Sequence, residues 1–514
     1  MIGNNIYMNN SDISAIFTDI SAVKDVGLES FIDNYFWPVS DNDFHDFIEF
    51  INEEYVKLAL KLENDLMFDI AMIETSFFSQ LENIFHYNYV KEYSKDKSVD
   101  LMFGDGSKYF LYPDWNEHSN YYTKLRFPHG LLIRYLRKIV RNVVFNKNLP
   151  IKKYIYGFFS TPKIVSVGSQ DNLKKHYLKN KQEFCSYVDW PDLIKVNTKN
   201  KESVELYEKV IINLLLPFIK ILKDNNSLFV RNFDFDELEL AWRKRFYDVI
   251  NIYINIRDSD KAETLLVTEV GKPISKLITT AYQQSGSDVY CFHHGHDFSI
   301  KVQNIAHQRT VSHCKNFIVP NDYVANQYLK NYSKLPLEKK THTKYISLDV
   351  ESFDGRINNK SVDNSIKSIM IMGYPHNSTR YTDEKGLFSI FKIDLEYRLI
   401  RFLKDSGYRV IYKAHPDRLK EINGVFNDFV DDIISEPFED SWQKSDAFIF
   451  THTGTTTFGY SLSLGKRIVL INLEKCPLTI DEKHLENIFR VVPAKMDIDN
   501  RIQFDKKNLL DSLA

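Results

Sequence analysis

The chain has 514 residues, with 66 Lys and Arg against 69 Asp and Glu, a formal net charge of −3. Apolar residues make up 43%, aromatics 14% and charged residues 26%, the balance of a soluble globular protein long enough for about two to four domains. These values argue against a disordered chain, a fibrous repeat, a disulfide-rich secreted module and a dedicated nucleic-acid binder, which would carry a basic excess.

Cysteine usage fits a reducing compartment. Cys185, Cys291, Cys314 and Cys476 stand apart, with no CxxC pair. The opening MIGNNIYMNNSD has no basic region followed by an apolar one, so no signal peptide is expected. The most apolar run, Val210 to Leu222, holds Pro217 and Lys220 and is too short to span a bilayer. A cytoplasmic protein is expected, one that could also sit peripherally at the inner membrane.

From about Phe44 to Phe85, apolar residues recur in steps of three and four: Ile48, Ile51, Tyr55, Leu58 and Leu62, then Ile70, Ile73, Phe77, Leu81 and Ile84. That spacing predicts two amphipathic helices with a break near Glu63–Asp65 and makes residues 1–150 an α-helical N-terminal section. Near its end, His129–Lys147 carries Arg134, Arg137, Lys138 and Arg141 at helical spacing and no acidic residue, with Leu132, Leu136, Ile139, Val140 and Val143 opposite. Such a helix is either a solvated face over a core, the commoner case, or a peripheral contact with an anionic membrane.

Residues 151–350 read as an α/β unit. The runs 163–167, 264–268, 289–292, 317–319 and 345–348 are apolar enough for strands buried on both faces, and helical patterns such as Glu202–Leu222, Glu237–Ile256, Pro273–Tyr282 and Tyr323–Tyr332 lie between them. The polar stretch Asp349–Asn364 reads as a linker. A second α/β unit, 365–480, follows with strands at 368–372, 409–414, 447–450 and 467–471 and a helix bearing Phe388, Phe391, Leu395, Leu399 and Phe402. Residues 481–514 form a C-terminal segment. The expected fold class is therefore α/β, with two Rossmann-like domains and the helical section before them.

In open α/β sheets, ligands sit beyond the carboxyl ends of the strands. Three loops of the second unit stand there. After 368–372 comes Gly373-Tyr374-Pro375-His376-Asn377-Ser378-Thr379-Arg380, a glycine turn with hydroxyls and an arginine that suits a phosphate or carboxylate, or simply a polar loop. After 409–414 comes Lys413-Ala414-His415-Pro416, in which the proline keeps His415 out of the helical region and aims it along the sheet edge. After 447–450 comes Thr451-His452-Thr453-Gly454-Thr455-Thr456-Thr457, more hydroxyls than capping a helix to about Leu464 requires, at a helix start suited to an anion.

The stretch from about 366 to 475, with its His-Pro and Ser/Thr-rich elements, resembles the donor-binding domain of two-Rossmann (GT-B) glycosyltransferases of bacterial surface polysaccharides. Those two elements look like those of sialyltransferases and capsule-type Kdo transferases. The segment VYCFHHGHDFS resembles the Q-H-G segment of capsule polysaccharide synthesis proteins, with His293 where the glutamine would stand; KYISLDVESFD resembles the strand and turn that close that domain. The resemblance spans about Thr264 to Lys475 and implies transfer of an acidic sugar, of the Kdo or nonulosonic type, from a CMP-sugar to a glycan or glycolipid of a capsule or lipopolysaccharide. It implies donor contacts at His415 and the Thr455–Thr456 region; Gly373, Arg380, Lys413, Pro416, Thr453 and Gly454, in the same three loops, are the further donor-site candidates.

A transferase needs an acid–base or nucleophilic carboxylate. Glu269, directly after 264–268, comes first and Asp297 second, with His294 to tune a proton and His293 and His296 lining the cleft. No cofactor, metal or nucleic acid is expected, although His293, His294, His296, His307, His313 and Cys314 are dense enough to supply zinc ligands. Three alternatives stay open: a CDP-polyol phosphotransferase, a UDP-sugar glycosyltransferase, and a non-catalytic nucleotide- or carbohydrate-binding scaffold.

Overall fold

The computed structural model describes residues 15–124, 131–147, 149–159, 162–168, 172–181, 183–193, 201–259, 261–293, 302–350, 365–374, 389–415, 419–453, 455–462, 464–473, 478 and 489–514. Nearly all of the expected linker, and Arg380, His294, His296, Asp297, Pro416 and Gly454, lie outside the described residues.

The N-terminal section is helical with one addition, a parallel pair of short strands, β1 (Ala15–Phe17) and β2 (Asp100–Met102). Three helices, not two, follow the apolar steps: Asp41–Leu60, Asp65–Glu74 and Phe78–Lys97. The break falls where it was expected because Asn64 caps the second helix, its side chain accepting from Leu66 N at 2.7 Å. The third helix starts after a single 3-10 turn, Thr75–Phe77, which apolar periodicity alone does not reveal.

The boundary near residue 150 does not divide the packing. Tyr55 meets Phe218 edge-on at 5.2 Å and lies parallel to Trp242. Buried Glu74 accepts from Trp242 Nε1 and Arg245 Nε, both at 3.0 Å. Helices Lys201–Val210, Leu216–Lys223 and Phe235–Arg257 thus share a core with the first hundred residues. A π-helical stretch, Ile211–Leu215, separates the first two of these just ahead of Pro217, a residue that an unbroken α-helix would not hold without loss.

The first large sheet contains β3 (Ile164–Val167), β4 (Cys185–Tyr187), β5 (Thr264–Val267), β6 (Asp288–Phe292), β7 (Asn316–Val319) and β8 (Lys344–Ser347). Its order is β4-β3-β5-β6-β7-β8, and every pairing is parallel. The second contains β9 (Ser368–Met372), β10 (Arg409–Lys413), β11 (Asp432–Ile434), β12 (Ala447–Phe450), β13 (Arg467–Leu473), β14 (Arg490–Met496) and β15 (Ile502–Phe504). Its order is β11-β10-β9-β12-β13-β14-β15, parallel except for the last pair. The C-terminal segment is therefore no appendage: β14, β15 and helix Lys506–Leu513 complete this sheet.

Strand order reverses between β3 and β5 in one sheet and between β9 and β12 in the other, the positions where such sheets open a crevice at their carboxyl ends. Helix Ser389–Asp405 lies between the second sheet and the N-terminal section, with Phe391 edge-on to Trp37 at 5.9 Å. Asn500 Nδ2 donates to Trp37 O at 2.8 Å and Tyr35 OH to Asn500 O at 3.0 Å, tying the same two parts together. Among the described residues, no helix is long and apolar enough to cross a membrane.

Candidate functional site

The reversal point of the second sheet gathers polar groups. Gly373 follows β9, and its N–H donates to Lys413 O at 3.0 Å. A Cβ at Gly373 would run into the Tyr412 ring, so the close approach there requires glycine. Tyr412 OH donates to Glu396 Oε2, and Tyr374 N donates to Glu396 Oε1, each at 2.7 Å. This buried carboxylate joins the ends of β9 and β10 to helix Ser389–Asp405. One turn earlier on that helix, buried Lys392 donates to Thr451 O, just past β12, with its ammonium 5.7 Å from the centre of the Tyr374 ring. His452 stands edge-on to the same ring at 5.0 Å.

Thr451 and Thr453 are both buried, and neither hydroxyl oxygen has a hydrogen-bond partner among the described residues. An unpartnered buried hydroxyl costs stability unless something else satisfies it. Thr455 caps the following helix, accepting from Thr457 N at 3.3 Å, and Thr456 is that helix's first residue. The helix ends at Ser461, short of Leu464, so it is too short for its dipole to carry an anion site. The chemistry available here rests on side chains instead.

Lys413 and His415 complete the edge. Lys413 Nζ donates to Ala414 O at 2.7 Å, and burial lowers its pKa. His415, one residue beyond, is exposed at the end of β10. The site thus combines two lysines, two buried hydroxyls and imidazoles around the ends of β9, β10 and β12, a donor set suited to an anionic oxygen.

The first sheet offers a carboxylate at its own reversal point. Glu269 stands two residues past β5 with φ +56°, a left-handed conformation that is strained for a non-glycine residue. Its Oε2 meets Lys272 Nζ at 2.9 Å, and its side chain remains partly exposed. Gly168, past β3, has φ +89° and lies so close that a Cβ would strike Thr268 Oγ1. The two strand ends therefore meet beside Glu269.

The histidines divide. His293 does not line a cleft: it is buried, its N–H donates to Ile318 O at 2.9 Å, and its ring packs on Phe317 and Tyr328. It continues the β6–β7 pairing for one residue, which turns the imidazole into the core. His307 stacks on Tyr332 at 3.9 Å, with Nε2 2.9 Å from Glu338 Oε1. Desolvation lowers its pKa, and that of His313 as well. Among the described residues, no group of His, Cys, Asp and Glu side chains is placed to share a metal ion.

Two site residues escape a reading of the sequence, Lys392 and Glu396. Both sit beside the apolar stripe of helix Ser389–Asp405, which is buried on every side from Ile390 to Tyr397. Their i, i+4 spacing on a helix flanking a Gly-turn was the available signal. No family model matches this chain, and no curated protein matches it.

Proposed function

We propose that the protein is a glycosyltransferase of the two-Rossmann, GT-B arrangement that moves an acidic sugar from a CMP-linked donor to a glycan or glycolipid acceptor. The observation that carries this reading is the pair of buried hydroxyls, Thr451 and Thr453, without a hydrogen-bond partner among the described residues, beside Lys392 at the reversal point of a parallel sheet. Strand ends at such a point are the usual seat of a nucleotide. A donor phosphate placed there would accept hydrogen bonds from the hydroxyls and from His415, with Lys392 and Lys413 balancing its charge.

The second sheet's strand sequence, in which three strands add in one direction and the rest in the other, supports a nucleotide-binding domain. The first sheet would then present the acceptor. Glu269 supports a proton-transfer role because it is a partly exposed carboxylate held in a strained conformation at a strand end. Where the acceptor hydroxyl attacks the anomeric carbon, Glu269 would take its proton as the bond to the departing CMP breaks. Arg380, Asp297 and His294 belong to the same proposal on their sequence positions alone.

A thermal-shift screen against CMP, CDP, UDP and GDP, followed by a hydrolysis assay with CMP-sugars, tests the reading. Stabilisation by CMP above the other nucleotides and release of CMP from an acidic CMP-sugar are expected. A preference for CDP or UDP would transfer the proposal to a polyol-phosphate or UDP-sugar donor, and binding without turnover would leave a non-catalytic scaffold.

A further inference from the structure

Helix Leu131–Asn146 is amphipathic in the reverse sense of a core helix. Its polar side faces inward, where Asn146 Nδ2 donates to Cys185 O and its Oδ1 accepts from Cys185 N, both at 2.8 Å. Asn142 Oδ1 accepts from Tyr187 N on the same edge strand, β4. Arg141 also turns in, donating to Gly168 O at 3.2 Å with its guanidinium 4.3 Å from the Tyr187 ring centre. The two asparagines satisfy free backbone groups of an edge strand, and Arg141 reaches the end of its neighbour β3.

The apolar side faces outward. Leu136, Val140 and Val143, at i, i+4 and i+7, are 53%, 59% and 48% exposed. Helix Ile151–Phe159 adds to them. It packs through Tyr154, edge-on to Phe184 at 5.8 Å, and through Gly157, where a Cβ would strike the same ring. Its Ile151 and Ile155 are 77% and 53% exposed. Five aliphatic side chains bared on two consecutive helices mark a contact surface.

Charge selects the partner. Between Glu117 and Asp171 the chain has ten Lys and Arg and no acidic residue. Lys147, Lys152 and Lys153 are exposed on these helices or the turn between them. A second copy of the chain would set like charge against like. A nucleic acid would accept the lysines and leave the aliphatic stripe in water. An anionic lipid surface takes both, with the stripe among the acyl chains and the lysines at the headgroups.

We propose that helices Leu131–Asn146 and Ile151–Phe159 form a docking face for an anionic membrane, with Leu136, Val140, Val143, Ile151 and Ile155 inserting. Arg141 ties this face to the end of β3, next to Thr268 and Glu269. A lipid-linked acceptor would therefore reach the first sheet's reversal point directly. That last step rests on the transferase reading, whereas the membrane contact does not.

Co-sedimentation of the full chain with vesicles, in the absence of any nucleotide, tests the contact. The chain should pellet with phosphatidylcholine vesicles containing phosphatidylglycerol and stay in solution with phosphatidylcholine alone. Binding should weaken as salt is raised from about 0.1 M to about 1 M, where the Debye length falls to about 3 Å. The double variant Val140→Glu/Val143→Glu should lower the bound fraction roughly tenfold or more with an unchanged melting temperature. If the glutamates lower the melting temperature, Lys152→Glu/Lys153→Glu provides the second test and should weaken binding in the same direction. Equal binding to both vesicle types, no binding to either, or undiminished binding in the correctly folded variants would overturn the proposal. So would a dimer in solution that Val140→Glu converts to monomer.

Discussion

The two parallel sheets bury charge in different places. Around the first, one set of buried charged groups sits at the seam with the N-terminal helices, while buried Lys174 donates to Val167 O at the end of β3 at 3.3 Å. Glu74 pairs with Arg245 at 3.0 Å, and Lys276 donates to Thr75 Oγ1 at 2.6 Å. Each has its partner inside the protein, and the arrangement holds two layers together. Around the second sheet, Lys392 and Lys413 lie at the strand ends beside hydroxyls that no described residue satisfies. A buried charge whose partners are complete indicates structure. One beside hydroxyls without a partner among the described residues, at the mouth of a parallel sheet, is the basis on which a ligand is proposed there.

The sharpest break in this comparison would come from Glu269, the carboxylate proposed as the first sheet's contribution to chemistry. Loss of a general base typically slows a reaction by about 10²–10⁴. Glu269→Gln should bind CMP as the parent does yet transfer sugar at least about a hundred-fold more slowly, measured with a CMP-sugar in a single-turnover assay. Near-parental turnover would move the role to Asp297. His415→Ala removes one hydrogen bond to a charged group, on the order of 1.5–3 kcal/mol. Calorimetry should then show CMP affinity lowered by about ten- to a hundred-fold with the fold intact.

Thr453→Val separates ligand from structure more finely. Removing a buried hydroxyl that lacks a partner among the described residues should leave urea stability unchanged or slightly higher, while CMP binding weakens by about 1 kcal/mol, roughly fivefold. Lower stability with unchanged binding would make Thr453 a structural residue. A separate effect concerns the seam. Burial lowers the Lys276 pKa to about 7. Between that value and the unfolded one, the unfolded chain binds more protons, so stability should rise with pH across about 7 to 9. Lys276→Met should flatten that rise in denaturant titrations, and an unaltered slope would mean that the lysine is not the group responsible.

Much of this organisation was legible in the residues. Continuous apolar runs such as Ser368–Met372 and Ala447–Phe450 matched their strands end to end, because a strand buried on both faces leaves no other pattern. Four edge or near-edge strands were not legible. β4, β11 and β15 are three residues each, and β14 contains Pro493, which argues locally against a strand. The hydroxyl loop after β12 was visible from its composition. Lys392 was not, because its role depends on reaching Thr451, 59 positions further along the chain. His293 misled for the opposite reason: one further residue of pairing with β7 turned a strand-end imidazole inward.

The central claim is that the second sheet's reversal point holds the donor nucleotide. Hydrogen–deuterium exchange of the full chain with and without CMP reads this directly. Slower exchange is predicted in peptides covering 389–396, 409–415 and 447–461, and His415→Ala should abolish it at low CMP concentration. Protection confined to the first sheet, or none anywhere at saturating CMP, CDP, UDP or GDP, would contradict the account.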